Sequence, residues 1–176
     1  MLLYAAYSML FATTGNEDYR KAAENAQSFV TKMYSEGDHR FFEGTDAEGR
    51  LNASIVVMKA QALAMLTMKD NGGMKYLYKC ETDEGGYPYS NATKEGYWVT
   101  GTGMASVAFA ENGDADIAAT ALDAMEACRL ASGAFREASI ESLFTGEEGW
   151  YLTDDPSLAA TAWYLLAANG INPFRI

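Results

Sequence analysis

The chain has 176 residues, 49% hydrophobic and 21% charged, which is the composition of one globular domain with a real core and excludes a disordered protein. Its formal net charge of −11 repels phosphate backbones and anionic lipid. Nucleic acid and membrane are thereby excluded as partners, and neutral or cationic ligands remain, sugars among the former.

Helical periodicity dominates, taken in chain order. The apolar start, Met1-Leu-Leu-Tyr-Ala-Ala-Tyr, lacks the basic region and cleavage site of a signal peptide and is too short to span a bilayer. It is read as a packing helix over about residues 2–13, stopped by Gly15-Asn16. A chain that opens on such a helix is expected to be part of a longer product, and its compartment is cytoplasmic only by default.

Asn16 caps a second helix with Glu17 and Asp18 in its first turn. Tyr19, Ala22, Ala23, Ala26, Phe29, Val30 and Met33 form its apolar stripe, and it is expected to end near Gly37. A turn rich in glycine and acids, 41–49, leads to a third helix over about 52–69 that is apolar all round and therefore buried. The longest irregular stretch, 71–96, comes next. A fourth helix over about 98–111 and a fifth from Asp114 to about Ala131 follow, then a loop with a short helix expected near 137–144. The last helix covers about 157–168 and is stopped by Asn169-Gly170 and Pro173. The whole chain, 1–176, is expected to form a single domain.

The chain repeats itself. Residues 15–26, beginning Gly-Asn-Glu-Asp, resemble residues 113–124, beginning Gly-Asp-Ala-Asp, at an offset of 98. A second signature occurs three times: an aromatic, two residues, a hydroxyl residue, then Asp or Asn. The copies are Phe42–Thr45-Asp46, Tyr87–Ser90-Asn91 and Trp150–Thr153-Asp154. Each precedes an apolar helix, so the polar pair is expected to cap or turn the chain into it while the aromatic packs the connection.

The run Asp83-Glu-Gly-Gly-Tyr-Pro-Tyr89, the helix opening Gly96-Tyr-Trp-Val-Thr-Gly-Thr-Gly-Met-Ala105, and Ala160-Thr-Ala-Trp-Tyr-Leu-Leu-Ala-Ala-Asn-Gly170 together resemble the α/α-toroid proteins. These are the six-hairpin glycosidases and their sugar-processing relatives, and more distantly the terpenoid cyclase and prenyltransferase toroids. The resemblance implies an all-α fold of antiparallel helix hairpins. About six helices are counted against about twelve in a full ring. Half a ring leaves apolar ends, which a second copy (a homodimer) or a missing N-terminal half would cover. The Asp-x-Asp-Asp acid motif of the cyclases is absent, because Pro156 follows Asp154-Asp155 and Leu152 stands at the first position. The zinc of the prenyltransferases has no ligand set here: Cys80 and Cys128 form no CxxC, and His39 is the sole histidine. No metal and no cofactor is implied.

A carbohydrate-processing or carbohydrate-binding domain, glycoside hydrolase-like, is therefore expected, the alternative being a non-catalytic helical-repeat scaffold or partner-binding module. Sugar hydrolysis needs two carboxylates across the scissile bond. The turn acids Asp83, Glu84 and Asp154 are the candidate catalytic residues, although 24 acids in the chain make most of them ordinary solvated groups. Tyr87, Tyr89, Trp98, Trp150 and Tyr151 are candidate sugar platforms, since C–H faces of sugars stack on aromatic rings, and Asp46 joins them as a substrate-binding candidate with a structural duty in its turn. Gly101-Thr-Gly103 is not a phosphate loop, and His39, between Asp38 and Arg40, is expected at the surface.

Overall fold

A computed structural model describes residues 1–52 and 55–175. The chain is largely helical, with helices α1 (Leu2–Thr14), α2 (Glu17–Lys32), α3 (Met58–Met68), α4 (Met74–Leu77), α5 (Val99–Asn112), α6 (Ala115–Glu126) and α7 (Leu158–Ala168). Three two-stranded antiparallel ribbons accompany them: β1 (Tyr34–Ser35) with β2 (Arg40–Phe41), β3 (Phe135–Arg136) with β6 (Pro156–Ser157), and β4 (Ser142–Phe144) with β5 (Tyr151–Thr153). The expectation of an all-α chain is corrected to that extent.

α1, α3, α5 and α7 pack side by side as an inner arc, and α2, α4 and α6 back them from outside. The result is part of an α/α toroid. The repeat read at an offset of 98 falls on equivalent elements, because α2 and α6 are the outer members of the hairpins α1–α2 and α5–α6. Each follows a left-handed glycine that ends the inner helix, Gly15 at φ 67° and Gly113 at φ 93°.

Local chemistry fixes the helix ends where caps were read. Asn16 Oδ1 accepts the Asp18 amide at 2.9 Å, and the Gly15 amide donates to Phe11 O at 2.8 Å. Elsewhere long-range pairing overrides helical propensity. The third helix, expected from about residue 52, begins at Met58 (positions 53 and 54 lie outside the described residues). Its lead-in is held extended: Asn91 Oδ1 accepts the Val56 amide at 2.8 Å, Val57 pairs with Ser90, and the Met58 amide donates to Tyr89 O at 3.0 Å.

Helix α2 stops at Lys32 rather than near Gly37, because Tyr34–Ser35 pair with Arg40–Phe41. Helix α6 stops at Glu126 rather than Ala131, because Arg129 pairs with Phe135 and the Leu130 amide donates to Ala134 O at 2.8 Å, around Gly133 at φ 87°. The short helix expected near 137–144 is replaced by β4, whose Leu143 is fully buried opposite Leu152. The irregular stretch 71–96 contains α4, anchored by buried Met74 and Leu77.

The aromatic signature turns the chain but does not cap the helices. Val57 and Trp98 precede α3 and α5 with no side-chain cap, and Ser157, outside the signature, caps α7 by accepting the Ala160 amide at 3.1 Å. Asp46 is instead spent within its turn, and Asn91 on the extended lead-in to α3. Asp114, at the start of α6, likewise turns its carboxylate to Tyr78 and to Asn112 Nδ2, the latter at 2.6 Å.

The core centres on α5. Its residues Val99–Gly103 and Ala105–Phe109 are buried. Its polar members are all bonded: Thr102 Oγ1 donates to Trp98 O at 2.9 Å and accepts the Tyr87 amide at 3.0 Å, and Ser106 Oγ donates to Ala118 O at 2.8 Å. Buried Gln61 on α3 acts as a surrogate strand for β2, accepting from Phe41 N and donating to Phe41 O, both at 2.8 Å. At Gly101 an added Cβ would lie 2.2 Å from Trp98 Cε3, and at Gly103 2.8 Å from Trp163 Cβ. We predict that Gly101→Ala lowers stability by about 2 kcal/mol through overpacking, measured by urea unfolding. Tyr87 makes the opposite prediction. Its ring is buried beside Phe109 at 5.6 Å, but its hydroxyl has no partner, so Tyr87→Phe should raise stability by about 1 kcal/mol.

On the α6–α7 flank, Arg129 and the Tyr164 hydroxyl hold the Glu126 carboxylate, pulling its pKa down from the usual range to about 2. A carboxylate lowered by folding stabilises the protein above its ordinary value and loses that contribution as acid approaches the folded value. Stability should therefore fall between about pH 4.5 and pH 2, and Arg129→Ala should flatten that limb in thermal melts.

Candidate functional site

The amino-terminal ends of α3, α5 and α7 share one rim of the arc, and the turns before them are stitched together there. The Trp98 amide donates to Tyr87 O at 2.9 Å, the Val99 amide to Glu137 O at 2.9 Å, and the Glu137 amide to Asp155 O at 2.9 Å. The Glu137 carboxylate is the knot of this rim. It accepts Trp98 Nε1 at 2.6 Å and Thr100 Oγ1 at 2.9 Å, and it is also bonded to the Ser157 hydroxyl, so one side chain ties α5 to α7.

Above that knot Trp98 is buried and carries the Tyr89 ring, centroids 4.9 Å apart. Tyr89 forms the floor of a cavity of about 280 Å³ with Glu43, Ile55, Val57, Thr145, Glu147, Trp150, Tyr151 and Leu152 on its walls. The β4–β5 hairpin supplies Trp150 and Tyr151. It is fixed to the loop after Tyr89 by Ser90 Oγ donating to Thr145 O and Thr93 Oγ1 to Phe144 O, both at 2.7 Å. Gly146, at φ 112°, brings the chain so close that an added Cβ would lie 2.8 Å from Ser90 Oγ. That close turn carries Glu147 into the cavity wall. Trp150 is 69% exposed, and Tyr151, 53% exposed, packs one side of its ring against Phe144 with centroids 5.5 Å apart, so both rings still face solvent.

Two exposed carboxylates, Glu43 and Glu147, therefore line the cavity around one phenol. Burial raises the pKa of Tyr89 first, and the charges of Glu43 and Glu147 raise it further, which keeps the phenol a neutral hydrogen-bond donor.

Of the residues chosen from the sequence, Tyr89, Trp150 and Tyr151 come together at this cavity, with Trp98 beneath. Tyr87 is buried in the core, away from it. Asp83 and Glu84 are exposed and line a separate cavity of about 460 Å³ with Glu81, Lys94 and Glu95. Asp154 is ion-paired with Arg136 Nη1 at 2.8 Å. Asp46 accepts the amides of Glu48 and Arg50, and Arg50 Nε at 2.7 Å holds its pKa below the usual range. His39 lies half-buried in its surface turn, with Nδ1 3.3 Å from the Tyr34 hydroxyl. Glu43 and Glu147, which also line this cavity, were not among the residues chosen. Both stand in glycine-containing turns within three residues of a rim aromatic, and that adjacency was the available signal. Among the described residues no three His, Cys, Asp or Glu side chains converge to hold a metal, and no helix is long and apolar enough to cross a membrane.

No protein-family model matches the sequence, and no curated protein is significantly similar to it. Solved structures are similar to it in fold. A glycosyl hydrolase of family 88 from Bacteroides vulgatus superposes with a TM-score of 0.68 at 15% identity, over 98% of this chain and 62% of that one. A polysaccharide lyase gives 0.68 at 15% identity, over 96% and 59%. A family 105 glycoside hydrolase from C. acetobutylicum ATCC 824 gives 0.64 at 13% identity, over 95% and 55%. The chain thus carries part of the α/α-toroid fold and spans between 55% and 62% of the length of these proteins.

Loss of the rim knot should be measurable as stability. Glu137→Ala leaves the buried Trp98 indole N–H without its acceptor, and we predict a loss of about 2 kcal/mol in urea unfolding together with a change in the near-ultraviolet circular dichroism of Trp98.

Proposed function

We propose that the chain, residues 1–176 acting as one all-helical-hairpin unit apart from its ribbons, is a carbohydrate-processing domain that binds a neutral glycan in the rim cavity and hydrolyses it. The observation that carries this reading is the joint placement of Glu43 and Glu147 around Tyr89 beside two exposed aromatic rings. The glycoside hydrolase and polysaccharide lyase folds it resembles support the substrate class.

In this reading a sugar ring stacks on Trp150 or Tyr151 and hydrogen-bonds to the Tyr89 hydroxyl. One of Glu43 and Glu147 protonates the leaving oxygen, and the other activates water or attacks the anomeric carbon. A neutral Tyr89 orients the substrate's hydroxyls, and the proton transfers fall to the two carboxylates. The acid roles pass to Glu43 and Glu147 in preference to Asp83, Glu84 and Asp154, because those three line other parts of the surface. A non-catalytic binding module is the second reading, favoured by the wide exposure of the Trp150 and Tyr151 platform.

The test is a panel of neutral and uronic oligosaccharides read by thermal shift and by reducing-end release. One glycan class should raise the melting temperature, and Trp150→Ala should abolish the rise. Glu43→Gln and Glu147→Gln should each lower turnover by about 100-fold or more while the shift persists. Binding without turnover in the unaltered chain selects the binding module, and no shift with any glycan overturns the carbohydrate reading.

A further inference from the structure

A polar cavity of about 360 Å³ lies at the other end of the inner helices, where α3 and α5 finish. The β1–β2 hairpin walls it with Tyr34 and His39, the turn after α3 with Asn71 and Gly72, and α4 with Lys75. His39 is the sole histidine of the chain, and it holds a left-handed φ of 53°. Glycine adopts that conformation freely, yet the glycine of this loop, Gly37, stands two positions earlier and keeps an ordinary φ. The backbone is thus held against its preference at the residue whose side chain reaches the cavity.

Gly72 lets the Tyr34 ring close in beside that imidazole, since an added Cβ there would lie 2.7 Å from Tyr34 Cε2. The Tyr34 hydroxyl is 3.3 Å from His39 Nδ1, and Nε2 has no partner among the described residues. Lys75 is exposed and makes no ion pair among them either. Nearby acids are engaged elsewhere: Asp38 with Arg40 at 3.3 Å, Asp70 with the Gly72 amide at 2.9 Å, and Asp114 with Asn112 Nδ2 at 2.6 Å. Glu36 is the one carboxylate in the wall. The rim cavity, by contrast, is lined by two acids and no base, and the cavity beside Asp83 by four acids and one lysine. On a strongly acidic protein, this cavity sets an ammonium and an imidazole against a single acid.

We propose that this cavity binds a small hydroxycarboxylate, with its carboxylate between Lys75 Nζ and His39 Nε2 and its hydroxyls on Glu36 and the Asn71 amide. With Tyr34 donating to Nδ1, the neutral imidazole carries its proton on Nε2 and donates to the ligand. A carboxylate offers acceptors alone, which suits the two nitrogen donors. A hydroxyl can donate, which satisfies Glu36 where a second bare carboxylate would be repelled. The site lies apart from the rim cavity and stands whether or not that cavity takes a glycan.

The test is a titration with sodium D-gluconate at fixed pH and ionic strength, read from the imidazole proton resonances, which a single histidine makes unambiguous. D-Glucitol, the same chain of hydroxyls without the carboxylate, and acetate, a carboxylate without hydroxyls, are the controls. Gluconate should shift the His39 resonances saturably and bind about tenfold more tightly than either control. Lys75→Gln should abolish the saturable shift, and Trp150→Ala should leave it unchanged. His39→Gly, followed by calorimetry, should lose gluconate binding while its melting temperature rises by about 2 °C, because the left-handed turn is relieved. No saturable shift, an equal response to glucitol or acetate, or binding that survives Lys75→Gln overturns the proposal. Loss of binding in Trp150→Ala overturns it by placing gluconate in the rim cavity. A lower melting temperature for His39→Gly overturns it as well, since the imidazole would then be held there for the fold.

Discussion

The close approach that α5 permits is the constraint on which the rest of the arc depends. An inner helix that must touch α3, α6 and α7 cannot carry large side chains on every face, and α5 meets this with Gly101, Gly103, Ala105, Ser106 and Ala108. The space left at Gly101 is filled by the Trp98 ring, and the space at Gly103 by Trp163 and Met125. Bulk is thus supplied from the connecting segment and from the neighbouring helices. The same device recurs at Gly86, where an added Cβ would lie 2.2 Å from the Tyr97 ring. Small residues on the inner helix and aromatics in the turns are two halves of one packing solution.

That solution also shapes the rim cavity. Trp98 is held by Gly101 on one side and by Glu137 at its indole nitrogen, and Tyr89 rests on it. The floor of the rim cavity is therefore an extension of the core, and its walls are hairpin and loop residues bonded to it through Ser90 and Thr93. The cavity thus has a base packed into the core and aromatic walls that stay exposed.

The parts of this fold that were legible in the sequence are those governed by neighbours in sequence. The stripe of α2, the Asn16 cap and the glycines at 15 and 113 each act within a few residues, and the internal repeat pointed correctly to paired hairpins. What could not be read depends on partners far along the chain. The start of α3 is set by Tyr89 and Asn91, and the β4 segment becomes a strand because Tyr151–Thr153 lies beside it. The site divides in the same way. Aromatics in glycine-rich turns announce themselves locally, and Tyr89, Trp150 and Tyr151, named from the sequence, all line the rim cavity. Among 24 acids, nothing local separates Glu43 and Glu147 from Asp83 or Asp154, since what distinguishes them is a turn folded over from Gly146 onto Ser90.

One further feature bears on how the chain reaches this state. Asn172 Nδ2 donates to Leu66 O at 2.9 Å, and Phe174 packs on Trp163 against the main core. Leu66 is buried in α3, so the carbonyl that Asn172 satisfies belongs to the middle of the molecule. During synthesis that carbonyl waits for a residue made 106 positions later. Helix hairpins can form as they leave the ribosome, but the inner arc is sealed only after the segment beyond α7 has emerged and returned to α3. Removal of a few residues there would reach the centre of the protein rather than trim its edge.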